Sequence, residues 1–338
     1  MKSLLLSDRS PCLRYLVLTE LLGRGVEDRE VQELSGLRLS DPLVRNLLQL
    51  QRPDGSWVAG DSAWRSSRGP LLMTSFALFR LGSLGFTSDF EPLQRGAEYL
   101  FSHQRKDGGW SFPGTDTDDE GEGLTMSPIQ TAFPLRGLAR SGFWNDARSE
   151  RGYEWLMQWR LDDGAWPTGY ANDNLRRVAG YRRIAHSEWG CRTSTTMVLQ
   201  CLADHPERAV GEEARRALDL LLGRETREAH TIGLETARML GADTVNGFIT
   251  FFARFDLSLL LDLAGRVGAS REDPRIDDAV RFIESLRGPY GLWEYPQCSR
   301  WVSYGLLRTL SALDEDTDWI GVEPRTAFQA YPKQPSRF

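Results

Sequence analysis

Cysteine is scarce in this chain. The four present, Cys12, Cys191, Cys201 and Cys298, lie far apart and never in CxxC spacing, which argues against a disulfide framework or a thiolate zinc ribbon and makes reduced thiols the expectation. Long hydrophobic runs are missing as well. The most apolar stretches are broken by charges such as Asp256 and Asp262, so none approaches the ~18 consecutive apolar residues of a spanning helix. The first residues lack the basic start and apolar core of a secretory signal; a cytoplasmic location is expected, with a peripheral membrane contact left open. There is no excess of positive charge either. Lysine and arginine number 41 against 47 acids, a formal charge of -6, whereas a nucleic-acid binder needs clustered cations to displace counterions. No nucleic-acid partner is expected.

What the chain does have is a repeat. Hydrophobic residues make up 41% of 338 positions, enough for a sizeable core in one large domain or two ordinary ones. One phrase recurs through the chain: Gln51, Asp54, Gly55 and Trp57; Gln104, Asp107, Gly108 and Trp110; Arg160, Asp163, Gly164 and Trp166; and an eroded copy with Arg287, Tyr290, Gly291 and Trp293. Each copy follows an amphipathic segment such as "DPLVRNLLQLQ" or "IDDAVRFIESLR", whose apolar residues recur at helical spacing. The glycine after the aspartate is expected to end that helix. After each turn comes a more uniformly apolar segment, for example "LLMTSFALFRLGSLG" or "CSRWVSYGLLRTLSAL", the pattern of a helix that is buried or lines a cavity.

The tryptophans are spaced by 53, 56 and 127 residues, and the last gap is about twice the period. A degenerate pair, "GEEARRALDLLLGR" and "FFARFDLSLLLDLAGRVG", fills it, and "SPCLRYLVLTELLGR" near the N-terminus supplies a further pair or a cap. The chain thus contains five to six outer–inner units, stacked as an open solenoid or a closed ring. In a ring the inner helices surround a central apolar pocket, and each tryptophan covers the seam between neighbours.

These turns resemble the QW repeats of the prenyltransferase and squalene-oxidase repeat superfamily, which includes squalene-hopene cyclases, oxidosqualene cyclases, class II diterpene cyclases and protein prenyltransferase β subunits. The similarity covers roughly residues 40 to 313. Tryptophan at the turn, where prenyltransferase β subunits tend to have Phe, favours the cyclase side, closest in style to the bacterial single-toroid members. The resemblance implies an all-α fold, one (α/α)5-6 toroid of concentric inner and outer helices forming a single domain over residues 1–338.

Class II cyclases start by protonating an alkene or epoxide with the middle aspartate of an Asp-x-Asp-Asp-Thr-Ala motif that opens an inner helix. An alkene is a poor base, so the donor must be a carboxylic acid kept neutral by burial, with neighbours that stabilise its anion. Asp116, Asp118 and Asp119 have that spacing, but Glu120 and Gly121 follow instead of Thr-Ala. Five acids in seven residues, flanked by Gly114, Gly121 and Gly123, describe a solvated loop unless it closes over a substrate. The helix-opening pair is Thr131 and Ala132, with Ile129 where the acid belongs.

Aligning the inner segments places Met73, Gln130, Ser194, Asp256 and Val302 at one level, just before Thr74, Thr131, Thr195, Leu257 and Ser303. Asp256 is the acid in that ring. Desolvation would raise its pKa and suit it to proton donation; capping its own helix or pairing with Arg254 would make it structural. Gln130, Arg254 and Trp301 complete the expected substrate lining. The zinc of protein prenyltransferases needs a histidine where Ser194, Asp256 or Val302 stands, so no metal is expected. The connection after Trp166 carries Arg176, Arg177, Arg182, Arg183, His186, Glu188, Cys191 and Arg192. Its five arginines suit either a diphosphate or carboxylate, with Arg183, His186, Glu188 and Arg192 contacting substrate, or ion pairs with the acidic run; a His186–Cys191 dyad is a weaker alternative.

The resulting expectation is a terpene cyclase-like isomerase or lyase acting on a linear isoprenoid in a central apolar cavity, with acid initiation by Asp256 or the Asp116, Asp118 and Asp119 run. No cofactor is expected, and Mg2+ only if the substrate is a diphosphate. The competing readings are a non-catalytic lipid- or prenyl-binding toroid or interaction scaffold, and an elimination or hydrolysis using His186 or Glu188.

Overall fold

Proline at the first turn opens six of the helices, where its missing N–H is one that the helix leaves unpaired anyway. Asp28, Asp41, Asp146, Asp256 and Asp273 cap five helices, two of them among those six, each accepting from a backbone N–H of the first turn. The structure is a computed structural model that describes residues 2–58, 69–111, 127–168, 178, 183–223, 230–242, 255–315, 317–319 and 326–327.

Among these residues the helices are α1 (Lys2–Leu6), α2 (Pro11–Leu16, continued by a π-helical turn Val17–Leu21), α3 (Arg29–Leu37), α4 (Pro42–Leu48), α5 (Pro70–Ser83), α6 (Glu91–Ser102), α7 (Pro128–Arg140), α8 (Ala147–Gln158), α9 (Arg192–Ala203), α10 (Glu212–Leu222), α11 (Leu234–Leu240), α12 (Leu257–Arg266), α13 (Pro274–Ser285) and α14 (Ser299–Leu313). A two-residue parallel pair, His230–Thr231 with Phe255–Asp256, is the strand pairing present in the described residues. The architecture is an all-α toroid. Helix α5 packs on α7, α7 on α9, α9 on α12, α12 on α14, and α14 on the π turn after α2. Arg38 completes the circuit by donating to the Gly85 carbonyl at the end of α5, 2.6 Å away. Helices α3, α4, α6, α8, α10 and α13 form the outer layer, giving six inner elements.

Each tryptophan clamps its unit in the same way. The indole N–H donates to a carbonyl of its own outer helix, Leu47, Leu100, Leu156 or Ile283, at 2.7–2.8 Å. The backbone N–H donates to a hydroxyl on the next inner helix, Thr74, Thr131, Thr195 or Ser303, at 2.9–3.1 Å. Those four hydroxyls are the residues aligned from sequence. In the degenerate unit the position holds Leu257, and no turn tryptophan is there to need it. The seam is covered as expected: a Cβ at Gly96 of α6 would come within 2.6 Å of the Trp57 ring, and one at Gly152 of α8 within 3.0 Å of Trp110.

The turn glycines do not end the outer helices, which stop earlier, at Leu48, Ser102, Gln158 and Ser285. They form the turn itself. Gly55 and Gly108 have φ of 87° and 95°, and a Cβ would strike the Arg95 and Arg151 carbonyls of the next outer helix at 2.3 and 2.4 Å. Gln51 and Gln104 bridge the same gap, each donating to its turn glycine and to the start of the next outer helix, at Pro92 and Arg148. Where arginine replaces glutamine, Arg160 pairs with Glu212 instead.

Candidate functional site

The degenerate unit is where the ring departs from its repeat. Its inner helix α12 is preceded by the short α11, which packs on α14 and is held at its two ends by two different inner elements. Asp256 receives the N-terminal end of α11: its Oδ1 accepts from Gly233 N at 3.1 Å and its Oδ2 from Glu235 N at 2.7 Å. Arg80 of α5 holds the other end, donating to the Leu240 carbonyl at 2.8 Å. Three steps separate α5 and α12 around six inner elements, so the two are opposite, and α11 is a strut of about 10 Å at 1.5 Å per residue.

Asp256 also caps its own helix, accepting from Ser258 N at 3.1 Å and from the Ser258 hydroxyl. It is 6% exposed. Burial pushes its pKa above the usual carboxylate range, against the opposing pull of the Glu235 N–H and the Ser258 hydroxyl. The cap is present together with the raised pKa; Arg254 lies outside the described residues.

Beside the strut is a cavity of about 120 Å³. One wall is apolar, from Phe79, Met239, Leu259, Trp301, Val302 and Leu306, with Asp256 and Tyr304 among its polar members. The opposite end is charged, which corrects the expectation of a wholly apolar pocket. Arg140 and Arg266 both pair with Asp204, Arg266 and Arg308 with Asp262, and Arg308 with Glu20 at 3.0 Å. Burial and neighbouring Arg266 push the Arg140 pKa down to about 10. Asp262 goes the other way: burial opposes its charge, but Arg266, Arg308 and Arg140 hold it well below the usual carboxylate range. Beyond these arginines a second, more open recess of about 280 Å³ is lined by Arg140, Arg266, Arg308 and Thr309.

The structure brings Asp256 and Trp301 to one cavity. Of the other expected residues that the structure describes, Gln130, Arg183, His186, Glu188 and Arg192 do not line it. Gln130 is buried, and its side chain accepts from Ser127 N in the capping box that opens α7. Arg183, His186 and Glu188 are exposed; His186 donates to the Ala327 carbonyl at 3.0 Å, away from the buried Cys191. Arg192 is buried and reaches Leu221 O of α10 at 3.4 Å. The physical reason is local: Ser187 donates to Asp163 and accepts from Gly190 N, and Cys191 N donates to the Trp166 carbonyl, folding residues 183–191 back onto the Trp166 turn. Asp116, Asp118, Asp119, Arg176, Arg177 and Arg182 lie outside the described residues. Sequence reasoning missed Glu20, Glu235, Met239 and Tyr304. Its one usable signal was charge inside inner segments, at Arg80, Arg136, Asp262 and Arg308. Among the described residues, no group of three or more His, Cys, Asp or Glu could hold a metal ion, and no helix is long and apolar enough to cross a membrane.

Residues 34–180 match the family model of the squalene-hopene cyclase C-terminal domain. Lanosterol synthase erg7A of Aspergillus fumigatus is 28% identical over 149 residues, 43% of this chain and 19% of that protein. Squalene–hopene cyclase of Zymomonas mobilis is 28% identical over 163 residues, 46% of this chain and 24% of that protein. The chain thus spans about a fifth to a quarter of the length of these curated relatives. Among solved structures, the type II terpene cyclase MstE from Scytonema aligns with 79% of this chain and 95% of its own at 14% identity and a TM-score of 0.35. A Clostridium perfringens α-amylase aligns with 90% of this chain and 85% of its own at 13% identity and a TM-score of 0.42.

Proposed function

We propose that this chain, which resembles the squalene-hopene cyclase C-terminal domain over residues 34–180, is a terpenoid cyclase-like protein whose axial cavity takes the end of a linear isoprenoid, which Asp256 protonates to start cyclisation. The observation that carries this reading is a buried carboxyl of raised pKa on the wall of that cavity. Asp262 in the same cavity is pushed the opposite way, and two carboxyls driven apart assign the available proton to Asp256. The N–H groups of Gly233, Glu235 and Ser258 face its oxygens, so they stabilise the anion that proton transfer leaves. Phe79, Trp301 and Tyr304 line the same cavity, and aromatic rings stabilise a carbocation, although one face of Phe79 is taken by the Arg136 guanidinium 3.6 Å from its centroid.

A space of about 120 Å³ is smaller than the ~150 Å³ that holds benzene in an engineered core. It suits the terminal isoprene unit, whose five or so buried carbons contribute on the order of 4 kcal/mol, and the further unit that ring closure needs would extend into the adjoining recess of about 280 Å³, which shares Arg140, Asp262, Arg266, Arg308 and Thr309 with it. The terminal alkene, where acid initiation occurs, is the part that must reach Asp256. No cofactor enters this step; Mg2+ would serve only a diphosphate head group.

The full set of acceptor bonds on Asp256 favours a second reading, a non-catalytic prenyl-binding toroid or scaffold in which that carboxyl only secures the strut. Incubating the protein with farnesol, geranylgeraniol and squalene, alongside mass spectrometry of co-purified lipid, separates the two. The cyclase reading expects conversion that falls at least a hundredfold in Asp256→Asn while isoprenoid binding persists. Bound isoprenoid without conversion by the unaltered protein would establish the second reading.

A further inference from the structure

An acid-initiated cyclisation ends when its carbocation either loses a proton to give an alkene or captures water to give an alcohol. On the cavity wall a tyrosine hydroxyl is paired with a carboxylate. Tyr304 is 6% exposed and lines the cavity beside Trp301, the two rings meeting edge to face with centroids 6.3 Å apart. Its hydroxyl donates to Glu20 Oε2 at 2.5 Å, and Arg308 Nη1 donates to the same oxygen at 3.0 Å.

Glu20 arrives there through an irregularity. The turn Val17–Leu21 is π-helical, closed by Leu22 N to Val17 O at 3.1 Å. One extra residue in a helical turn re-aims the side chains after it, and such turns occur frequently at functional sites. The Glu20 side chain keeps 37% of its surface exposed, so the Tyr304–Glu20 pair runs from the cavity wall toward water.

We propose that Tyr304 and Glu20 form the proton exit of the cavity, with Tyr304 the catalytic group and Glu20 the acceptor acting through it. The step rests on the cyclase reading above. The C–H bond beside the cationic carbon breaks and its electron pair becomes the new C=C bond. The proton goes to Tyr304 Oη, whose own proton moves to Glu20 Oε2; Glu20 then releases it to solvent. Atoms and charge balance without another reagent. Burial raises the Tyr304 pKa, so Tyr304 relays as a neutral hydroxyl. Burial works against charge on Glu20, but Arg308 and the Tyr304 hydroxyl keep it below the usual carboxylate range, ionised and able to accept.

The test uses the full chain with farnesol, geranylgeraniol and squalene in 18O-labelled water, with products resolved by gas chromatography and mass spectrometry. The relay expects the unaltered protein to give mainly a cyclic alkene. In Tyr304→Phe and Glu20→Gln the ratio of 18O-labelled alcohol to alkene rises at least tenfold in the product that forms, and Glu20→Asp restores the alkene. An unchanged product ratio in Glu20→Gln, a variant altered at the solvent side of the pair, overturns the relay even if Tyr304→Phe fails to fold. Unchanged products together with consumption abolished by Asp256→Asn would leave the cyclase reading standing without the relay. No conversion by the unaltered protein overturns both.

Discussion

Thr131 accepts the buried Trp110 N–H at 3.1 Å and is itself 0% exposed. Thr131→Val keeps the shape and strands that N–H, which should cost about 1–3 kcal/mol. Thr131→Ser keeps the oxygen, as Ser303 does in the last unit at 2.9 Å, and should cost about 1 kcal/mol or less. Urea unfolding of the two variants checks this, and equal losses would mean that the methyl, not the hydroxyl, matters. A second residue-scale contrast uses glycine. A Cβ at Gly96 would meet Leu78 Cδ1 and the Trp57 ring, both at 2.6 Å, while one at Gly36 meets nothing within 4 Å. Leu78 and Trp57 are 0% and 1% exposed and have no room to retreat. Gly96→Ala should therefore destabilise by about 1–3 kcal/mol, whereas Gly36→Ala inside α3 should stabilise by about 0.5–1 kcal/mol through helix propensity. Thermal midpoints moving in the same direction would refute the seam packing.

The alternation of outer and inner helices was legible because periodicity and turn chemistry are local: Asp107, Gly108 and Trp110 specify a turn without knowledge of the rest of the chain. The position aligned as Thr74, Thr131, Thr195 and Ser303 was legible for the same reason, although its bond to the tryptophan N–H was not. The burial of Asp256 was also readable, from its apolar surroundings. Its partners were not, because Gly233 and Glu235 belong to α11, a short and partly polar segment that reads as a connection. What makes α11 a helix is tertiary: Asp256 satisfies N–H groups at one end and Arg80 a carbonyl at the other. Burial lowers the Arg80 pKa to about 10, so a buried cation is spent on this one contact. Arg80→Met should free the end of the strut while filling similar volume. The expected result is faster amide exchange in residues 234–242 with α6 and α8 unchanged; uniform exchange throughout the ring would show that Arg80 is only part of the general core.

At the scale of the whole ring, the charged end of the axis joins all six inner elements. Arg140 of α7 donates to Ser83 of α5 at 3.3 Å and to Asp204 at the end of α9 at 2.8 Å. Arg266 of α12 reaches the same Asp204, and Arg308 of α14 joins Asp262 of α12 to Glu20 of the π turn. Glu20 and Arg308 lie 288 residues apart, so no local pattern could pair them; of the network only Asp262 stood out in the sequence, as a charge that interrupts an apolar run. Removing one partner of such a network leaves an uncompensated buried charge, and Asp262→Asn should cost about 3–5 kcal/mol. The pH dependence follows from the same contacts. Asp262 has a folded-state pKa below its unfolded value, so the folded state binds fewer protons and its stabilisation is complete above the unfolded range, about pH 4. It is lost as pH falls from there toward the folded pKa. Asp256, with a raised pKa, has the opposite sign: the folded state takes up its proton first, which offsets part of the loss. Urea midpoints measured from pH 7 to pH 3 should be nearly level down to about pH 5 and decline below about pH 4, and the decline should be steeper in Asp256→Asn, which lacks the offsetting proton. A midpoint that holds or rises between pH 5 and pH 3 would show that the network does not hold the ring closed.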